Sequence, residues 1–374
     1  MRFLNYFFFF CFVVLVSLVA DTEAQGAVYV SNHQDSIKIG FLFSDDVGQA
    51  ALNGAWLAVN KANENGGFQG KPFQLVVRSM EGAWGIGSKQ TVNLITEENV
   101  WAIVGSHDSR NAHLVEQAAT KLRIVFLSAW AGDPTLSQAF IPWFFSCIPN
   151  YVQQAERLIQ EIHSSGKSSK IALISDDGYE SKLALNSFVK KMKIQGYQEP
   201  LTFFYTNSQP DFNLLLNSLK KDAVDCIVLF GNPSASAKFI FEMRERKMQQ
   251  VVFGALSLLA EDGTPFLNYS DKENIIFPTS VESLKPNGLE FKKNYLKNYG
   301  KMPGAIAAYA FDGMNVIIEA IRNSGGDREM LQKAVSASQF EGVTGMIQFD
   351  EKGNRLRGIE LIQLKNGVQL RNVK

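Results

Sequence analysis

The sequence has 374 residues, of which 46% are hydrophobic and 20% are charged, a composition typical of folded globular proteins long enough for two domains. Lysine plus arginine and aspartate plus glutamate number 37 each, so no overall positive field attracts nucleic acid or an anionic membrane surface. The composition therefore argues against disorder and disfavours nucleic-acid binding.

The N-terminus forms a segment of its own. Arg2 precedes an apolar run from Phe3 to Ala20, and the polar letters DTEAQ follow, with Ala24 as a small residue suitable for cleavage. This order predicts a cleavable signal peptide over residues 1–24 and a periplasmic or otherwise extracytoplasmic protein. The alternative is an uncleaved anchor, because about 18 apolar residues can just span a bilayer.

From Ile37 onward, short β-branched runs alternate with helical patterns. The runs are IKIGFLF, FQLVV, WAIVG and IVFLS, and the helical patterns between them cover 49–65, 88–98 and 112–122. This alternation is typical of βα units around a parallel sheet. The first part of the chain is therefore predicted to be an α/β lobe.

The alternation pauses at FIPWFFSCIPN, which contains Pro142 and Pro149, and then begins again. The strand patterns KIALIS, LTFFY, DCIVLFG and VVFG now alternate with helical patterns over 152–164, 180–195, 211–220 and 235–246. A second α/β lobe is therefore predicted.

Three helical patterns follow without a strand between them, over 288–299, 306–323 and 328–337, before the strand-like segments GMIQFD and GIELIQL. These helices cannot extend the second lobe as βα units. The chain is therefore expected to return to the first lobe and then to cross back.

Few residues suggest disulfide or metal chemistry. Removal of the signal peptide leaves Cys147 and Cys226, for which a buried free thiol and a mutual bridge are both compatible with the sequence. The four histidines show no paired ligand spacing, so neither a metal nor a cofactor is predicted.

The layout and its local sequences resemble the leucine, isoleucine and valine binding proteins of ABC transporters, which are type I periplasmic binding proteins. The resemblance runs from residue 36 to about residue 370. Its carriers are IKIGFLF, LNGAWLAVNKANENGGFQGKPFQLVV, WAIVGSHDS, IVFLSAWAGDPTL, IALISDDGYE, AYAFDGMNVIIEAI and FEGVTGMIQFDEKGNRLRG. Several of these segments together are specific, whereas each alone is weak.

This resemblance implies an α/β fold of two flavodoxin-like lobes with parallel sheets, joined by a three-strand hinge and binding a ligand between them. The hinge crossovers are expected near Pro149, Pro278 and Gly345. The implied lobes are an N-terminal lobe of 25–149 with 279–344 and a C-terminal lobe of 150–278 with 345–374.

The stretch WAIVGSHDSRNAHL contains the residue types of a nucleophilic triad in Ser106, His107 and Asp108. Consecutive residues leaving a strand point in alternating directions, whereas a triad needs three groups that converge from separate elements. No enzyme activity is therefore predicted, and a secreted hydrolase stays the weaker alternative.

The same stretch fits ligand binding. A strand ending at Gly105 and a helix beginning near Asn111 place Asp108, Ser109 and Arg110 at a helix N-terminus, where free backbone N–H groups accept a carboxylate or an amide oxygen. The resemblance implies that Ser109 takes the ligand's carboxylate. Ser109 or Asp108 also suits a helix cap, and Arg110 suits a ligand clamp or a solvated charge.

Aromatic and small residues of both lobes are further candidates for ligand contact. In LSAWAGDPTL the resemblance implies a pocket wall at Trp130, Ala131 and Gly132, although the hydroxyl that the family presents there is absent. Trp84 lies in a loop at the mouth of the first lobe and suits ligand contact or the surface. Tyr179, in the second lobe, matches an aromatic residue that closes over the ligand in the family.

Two later positions complete the predicted site. Asn232 follows the strand DCIVLFG, at the end of the sheet where α/β proteins bind ligands, but it also suits a turn. Leu256 stands where the family's amino-acid binders often place a glutamate that pairs with the ligand's ammonium. Because a buried ammonium without a counter-charge is costly, an α-amino acid is disfavoured unless Asp108 or Asp133 compensates.

These patterns and the resemblance predict an extracytoplasmic solute-binding protein of an ABC importer. It is expected to be a monomer whose partners are a small-molecule ligand and a transporter permease in the membrane. The ligand is expected to be a branched-chain or other amino acid, an amide, or an aromatic or branched carboxylate. A ligand-sensing module that reports to a membrane receptor or regulator is the main alternative.

Overall fold

A computed structural model of the chain describes residues 36–82, 85–105, 108–138, 141–166, 170–208, 210–263, 274–279, 286–356, 359–365 and 368–371. The strands are β1 (Ile37–Phe43), β2 (Phe73–Ser79), β3 (Ala102–Gly105), β4 (Val125–Ser128), β5 (Phe144–Ser146), β6 (Ile171–Asp176), β7 (Leu201–Tyr205), β8 (Cys226–Phe230), β9 (Val251–Gly254), β10 (Ile275–Thr279), β11 (Phe340–Gly342), β12 (Gly345–Ile347), β13 (Glu360–Lys365) and β14 (Val368–Arg371). The helices are α1 (Asp45–Glu64), α2 (Ile86–Thr96), α3 (Ser109–Leu122), α4 (Tyr151–Ser164), α5 (Tyr179–Ile194), α6 (Asn213–Asp222), α7 (Pro233–Glu245), α8 (Pro286–Tyr299), α9 (Ala305–Asn323) and α10 (Arg328–Ser336).

The predicted signal peptide, residues 1–24, lies outside the described residues. Among the residues that the structure does describe, no helix combines the length and the apolar character needed to span a bilayer.

The first sheet, as far as the described residues show it, has five parallel strands in the order β2-β1-β3-β4-β5. Strands β3 and β4 are buried along their whole length, as expected when helices cover both faces of a parallel sheet. The chain reverses its winding direction between β1 and β3. An open sheet leaves a crevice at such a point, beyond the carboxyl ends of its strands.

The second sheet repeats this plan. Over the described ranges its order is β14-β13-β10-β9-β8-β6-β7, with parallel pairing from β10 to β7 and antiparallel pairing of β13 with β10 and β14. Its winding direction reverses between β6 and β8. The predicted α/β fold of two parallel-sheet lobes is therefore confirmed, while the lobe boundaries at 149, 279 and 345 stay predictions.

Helix α9 returns to the first lobe. It is apolar around most of its circumference and packs on α1, β3 and β4, while α8 packs on α1 and α10 packs on α9. Gly54 allows α1 to approach α9 closely, because a Cβ at this position would lie 2.1 Å from the carbonyl oxygen of Ala307.

One buried arginine joins the chain segments where the first and third crossovers are predicted. Arg355 is 1% exposed and donates to the carbonyl oxygens of Cys147 (2.8 Å), Thr344 (2.7 Å) and Met346 (3.1 Å). The Thr344 hydroxyl accepts from Arg355 (3.0 Å) and donates to the buried carboxylate of Asp312 (2.6 Å). These bonds satisfy polar backbone that would otherwise be buried without partners.

Three details differ from the sequence prediction or decide an open choice. Strand β5 lies inside FIPWFFSCIPN, where a pause was expected, and it pairs along β4 at the edge of the sheet. Helix α3 begins at Ser109 instead of near Asn111. Cys147 and Cys226 are both buried free thiols, which decides against a disulfide.

Candidate functional site

The predicted binding residues lie where parallel strands end. In the first lobe, β3 leads into α3 and β4 leads into the loop 129–133; in the second, β6 leads into α5 and β8 leads into α7. Carboxyl ends of parallel strands are the usual ligand sites of open α/β sheets.

Asp108 caps helix α3. Its carboxylate accepts hydrogen bonds from the backbone nitrogen of Asn111 (2.8 Å) and from the side-chain nitrogen of the same residue (2.6 Å). Such a cap satisfies backbone N–H groups that the helix leaves without partners. Of the two capping candidates, Asp108 takes the role, and Ser109 becomes the first helical residue, fully buried.

The hydrogen-bond donors of Ser109 are occupied by Glu180. The backbone N–H of Ser109 donates to Glu180 Oε1 (2.7 Å), and its hydroxyl donates to Oε2 (2.9 Å). The Tyr151 hydroxyl donates to the same Oε2 (2.5 Å). Glu180 stands in the first turn of α5, in the second lobe, so one carboxylate joins the two lobes at the place predicted for a ligand.

A second contact joins the same two helix ends. The guanidinium carbon of Arg110 lies 4.0 Å from the centre of the Tyr179 ring, within range of a cation–π interaction. Both side chains are exposed. Arg110 therefore contacts the aromatic residue that was predicted to close over the ligand.

Burial sets the protonation behaviour of both partners in the Glu180 contact. Burial raises the pKa of the Glu180 carboxyl, although hydrogen bonds from Tyr151 and Ser109 act in the opposite direction. Burial and the neighbouring Glu180 carboxylate raise the pKa of Tyr151 well above its ordinary value. Tyr151 therefore keeps its proton and acts as a donor at neutral pH.

The loop after β4 packs directly beneath Tyr151. Ala131 is buried, and its N–H donates to the hydroxyl of Ser128 (3.1 Å). The carbonyl of Gly132 accepts from the N–H of Tyr151 (2.8 Å), and a Cβ at Gly132 would lie 2.6 Å from the Tyr151 ring. Any side chain at this position would displace the tyrosine that contacts Glu180.

Trp130 is half-buried and packs against the main core of the protein. Its ring meets that of Tyr309 edge-on, with centroids 5.9 Å apart. The structure thus shows Trp130 packing on the core, while ligand contact by its accessible part stays a prediction.

Asp133 closes this loop. Its carboxylate accepts from the N–H of Thr135 (2.8 Å) and contacts Nε2 of His113 (3.1 Å), whose Nδ1 lies 3.6 Å from Glu116. Hydrogen bonds with Asp133 and Glu116 raise the pKa of His113 to about 9. The Asp133 carboxylate is therefore committed to a cap and an ion pair, which leaves it poorly suited to compensate a ligand's ammonium.

The second-lobe candidates also have structural partners. The side chain of Asn232 caps α7 by accepting from the N–H of Ala235 (3.1 Å), and its own N–H donates to Asp176 (2.8 Å). Leu256 is 1% exposed, and its N–H donates to the side-chain oxygen of Gln154 (3.2 Å). Ligand contact by Asn232 and Leu256 stays a prediction.

Trp84, Ser106 and His107 lie outside the described residues, so a ligand contact of Trp84 also stays a prediction. Within the part of the chain that is described, no group of three or more histidine, cysteine, aspartate or glutamate side chains could hold a metal ion. A cavity of about 590 Å³ lies between α1, α8 and α9, away from the strand ends of the candidate site.

Sequence reasoning missed Glu180 and Tyr151. A weak signal was present for each, since Glu180 is an acidic residue in the first turn of its helix and Tyr151 lies between Asn150 and Gln153, the two residues of the capping box that starts α4. Neither signal shows that the two side chains meet. That contact depends on how α4 packs on α5 within the second lobe, which local sequence does not encode.

The comparison with protein families covers both lobes. The family model described as "Periplasmic binding protein" matches residues 36–367. The chain belongs to the periplasmic binding protein family. The family predicted from the sequence is thereby confirmed.

Two curated relatives of this periplasmic binding protein differ in how much of their own length matches this chain. Glutamate receptor 3.7 of Arabidopsis thaliana is 30% identical over 214 residues, which are 56% of this chain and 22% of the receptor. The chain thus spans about a fifth of the length of that relative. Leu/Ile/Val-binding protein homolog 7 of Brucella abortus is 23% identical over 371 residues, and the alignment covers 92% of that protein and 92% of this chain.

A solved structure supports the same architecture. The branched-chain amino acid transporter substrate binding protein LivJ from Streptococcus pneumoniae, in complex with isoleucine, has a TM-score of 0.77 and 23% identity. The similarity covers 89% of this chain and 97% of that one. At this identity it shows the two-lobed fold.

Proposed function

We propose that this periplasmic binding protein is the solute-binding component of an ABC importer. It holds a small amino-acid-like, amide or carboxylate solute between its lobes, outside the cytoplasm, and delivers it to a permease. The observation that carries the proposal is the donor set at the start of α3. The N–H and hydroxyl of Ser109 and the hydroxyl of Tyr151 converge on one carboxylate, so this position fits the oxygen-bearing end of a solute.

The donor set suits such an end for physical reasons. The N-terminus of a helix carries a partial positive charge, and Ser109 is fully buried, where a low dielectric strengthens polar contacts. Each hydrogen bond to a charged acceptor contributes about 1.5–3 kcal/mol. Together with burial of apolar surface, a few of them reach the roughly 8 kcal/mol of a micromolar complex.

The remaining predicted residues are proposed as the walls of the site. Tyr179 and Trp130 supply aromatic surface, Arg110 lies beside Tyr179, and Asp108 acts by holding the helix end in place. The other proposed contacts are Trp84, Ala131, Gly132, Asn232 and Leu256.

Binding proceeds by hinge closure without chemical change. The solute first meets the donors of the N-terminal lobe, and rotation about the crossovers then brings the start of α5 over it. Closure excludes water, which strengthens the polar contacts. The solute is released unaltered, so the protein is not an enzyme.

The relatives support the transport role. The Brucella abortus protein is named for binding leucine, isoleucine and valine, and the Streptococcus pneumoniae protein is a transporter component that holds isoleucine. The family and the predicted signal peptide both favour an extracytoplasmic protein. We propose with the import role that it is a monomer and that its membrane partner is a permease.

A thermal-shift screen tests this proposal. Amino acids, keto acids, amides and aromatic acids are added to the purified protein, and a solute at 100 times its dissociation constant stabilises the fold by about 2.7 kcal/mol. We expect at least one class to raise the melting temperature and to be recovered with unchanged mass. A cooperative melt that no solute shifts, or recovery of a transformed solute, contradicts the proposal.

The second candidate function is ligand sensing, which the partial similarity to Glutamate receptor 3.7 favours. Affinity purification from the native membrane, after cross-linking, separates the two roles. Recovery of a permease supports import, and recovery of a receptor or kinase in its place supports sensing.

A further inference from the structure

We propose that Glu180 is a tethered carboxylate that occupies the Ser109 donors, closes the lobes without a solute and must be displaced before a solute carboxylate can bind there. This inference rests on the proposed function, because it concerns how the same cleft opens and what it admits. The four residues that join the ends of α3 and α5, Ser109, Arg110, Tyr179 and Glu180, are called the latch below.

The latch uses the donors that a solute carboxylate would need. Both Glu180 oxygens are engaged, one by the N–H of Ser109 and the other by the hydroxyls of Ser109 and Tyr151. A backbone N–H has one hydrogen to donate, so a solute carboxylate and Glu180 compete for it. The solute can bind there only after Glu180 has moved away.

Competition favours the tethered group. Glu180 is part of the chain, so its effective concentration at Ser109 is on the order of millimolar or more. A free solute competes only at the concentration at which it is present in solution. The Arg110–Tyr179 contact at 4.0 Å lies beside the hydrogen bonds and brings the same helix ends together. Two neighbouring residues of α5 thus hold two neighbouring residues of α3.

Charge adds to this selectivity. The carboxylate of Asp108, which caps α3, repels the negative charge of Glu180 and contributes to its raised pKa. A solute carboxylate that arrived beside both would meet two negative charges. The latch therefore weakens the binding of carboxylate solutes more than that of uncharged amide solutes.

Small-angle X-ray scattering without any solute tests the closure. Wild type and the variants Glu180→Ala, Glu180→Gln and Glu199→Ala are compared, with Glu199 as an exposed glutamate remote from the latch. Loss of hydrogen bonds to a charged acceptor should shift the open-to-closed ratio at least roughly tenfold. We expect a larger radius of gyration than that of wild type for both Glu180 variants and an unchanged radius of gyration for Glu199→Ala. Glu180 variants as compact as wild type would overturn the latch.

Chemical rescue tests whether a carboxylate is what the donors select. Acetate has the shape of the part of the glutamate side chain that the alanine variant lacks, and acetamide matches it in size without the charge. We expect acetate, but not acetamide, to return Glu180→Ala to the compact form. Rescue by both or by neither would refute the selection of a carboxylate.

The two proposals fail in different ways. Circular dichroism establishes that each variant is folded, and Glu180→Gln carries the scattering test if the alanine variant does not fold. No solute is present in the first experiment, so an unchanged radius of gyration overturns the latch and leaves a positive thermal-shift screen standing. A thermal-shift screen in which no solute raises the melting temperature overturns solute binding. It does not overturn the latch, which a larger radius of gyration of the Glu180 variants would still support.

Discussion

Ser109 shows how one buried residue can serve both stability and binding. A buried serine hydroxyl needs a partner, and here the partner is a carboxylate from the other lobe. The same hydroxyl and N–H offer the donors that we assign to a solute. Both donors of Ser109 therefore have a partner when the lobes are closed, and they become available to a solute when the lobes open.

A double-mutant cycle measures the coupling between Ser109 and Glu180. Ser109→Ala removes one hydrogen bond to a charged acceptor, and we expect the free energy of unfolding to fall by about 1–3 kcal/mol. After Glu180→Ala, the same serine substitution should cost much less, because its partner is already gone. Urea unfolding of the four proteins gives the comparison. Additive costs would show that the two residues do not interact.

His113 links helix α3 to the loop that carries Trp130, and its charge should make stability depend on pH. Its pKa is raised from 6.5 to about 9 by Asp133 and Glu116, so the folded state holds the proton more tightly than the unfolded chain. This stabilisation is fully present below pH 6.5 and is lost as the pH rises through about 9.

The expected consequence is a stability gap between wild type and His113→Gln that is widest near pH 6 and closes near pH 10. Urea unfolding across this range measures it. The matched control is His163→Gln, because burial lowers the pKa of His163 and gives no gap that closes at alkaline pH. A gap for His113→Gln that is independent of pH would contradict the assigned ion pairs.

At the scale of elements, periodicity predicted most helices and strands, because apolar spacing and turn residues are local signals. Strand β5 was missed because its three residues lie between Pro142 and Pro149 and are held by pairing with β4, a contact distant in sequence. The start of α3 was misplaced because the cap is Asp108, whose side chain reaches Asn111. A helix boundary that is set by a side-chain cap can be placed only when the position of the capping side chain is known.

Capping makes a testable prediction for α3. Asp108→Ala leaves the first N–H groups of the helix without their acceptor, and we expect a loss of about 1 kcal/mol in the free energy of unfolding. Asp327→Ala, which removes the cap of α10 far from the donors, should cost a similar amount. Chemical denaturation compares them. Only Asp108→Ala should change solute binding as well, and unchanged binding would contradict the placement of the site.

At the scale of the whole molecule, Arg355 ties together the chain segments at two of the predicted crossovers, near Pro149 and Gly345. Its guanidinium reaches the carbonyls of Cys147 and Thr344 and is buried. Arg355→Met would leave these carbonyls without a donor, and we expect a loss of roughly 3 kcal/mol or more in unfolding free energy. Arg123→Met, at an exposed position, is the control and should change little. Equal effects of both in urea unfolding would contradict this role.

The two-lobed fold was predictable from the sequence because many short resemblances agree along the chain. Part of the candidate site was predictable from the sequence, because Ser109 and Tyr179 lie shortly after the strands β3 and β6. Glu180 and Tyr151 were not, because Glu180 meets Ser109 only when both lobes are placed, and Tyr151 reaches Glu180 only through the packing of α4 on α5. Likewise, the room that Gly132 leaves for Tyr151 depends on the placement of both lobes, and ligand contact by Gly132 stays a prediction.

The most direct test of solute binding between the lobes is a crystal structure of the protein with the best solute from the thermal-shift screen. The account predicts one intact solute molecule between the start of α3 and the start of α5. A solute bound elsewhere, for example in the cavity between α1, α8 and α9, or a chemically altered one, would contradict it.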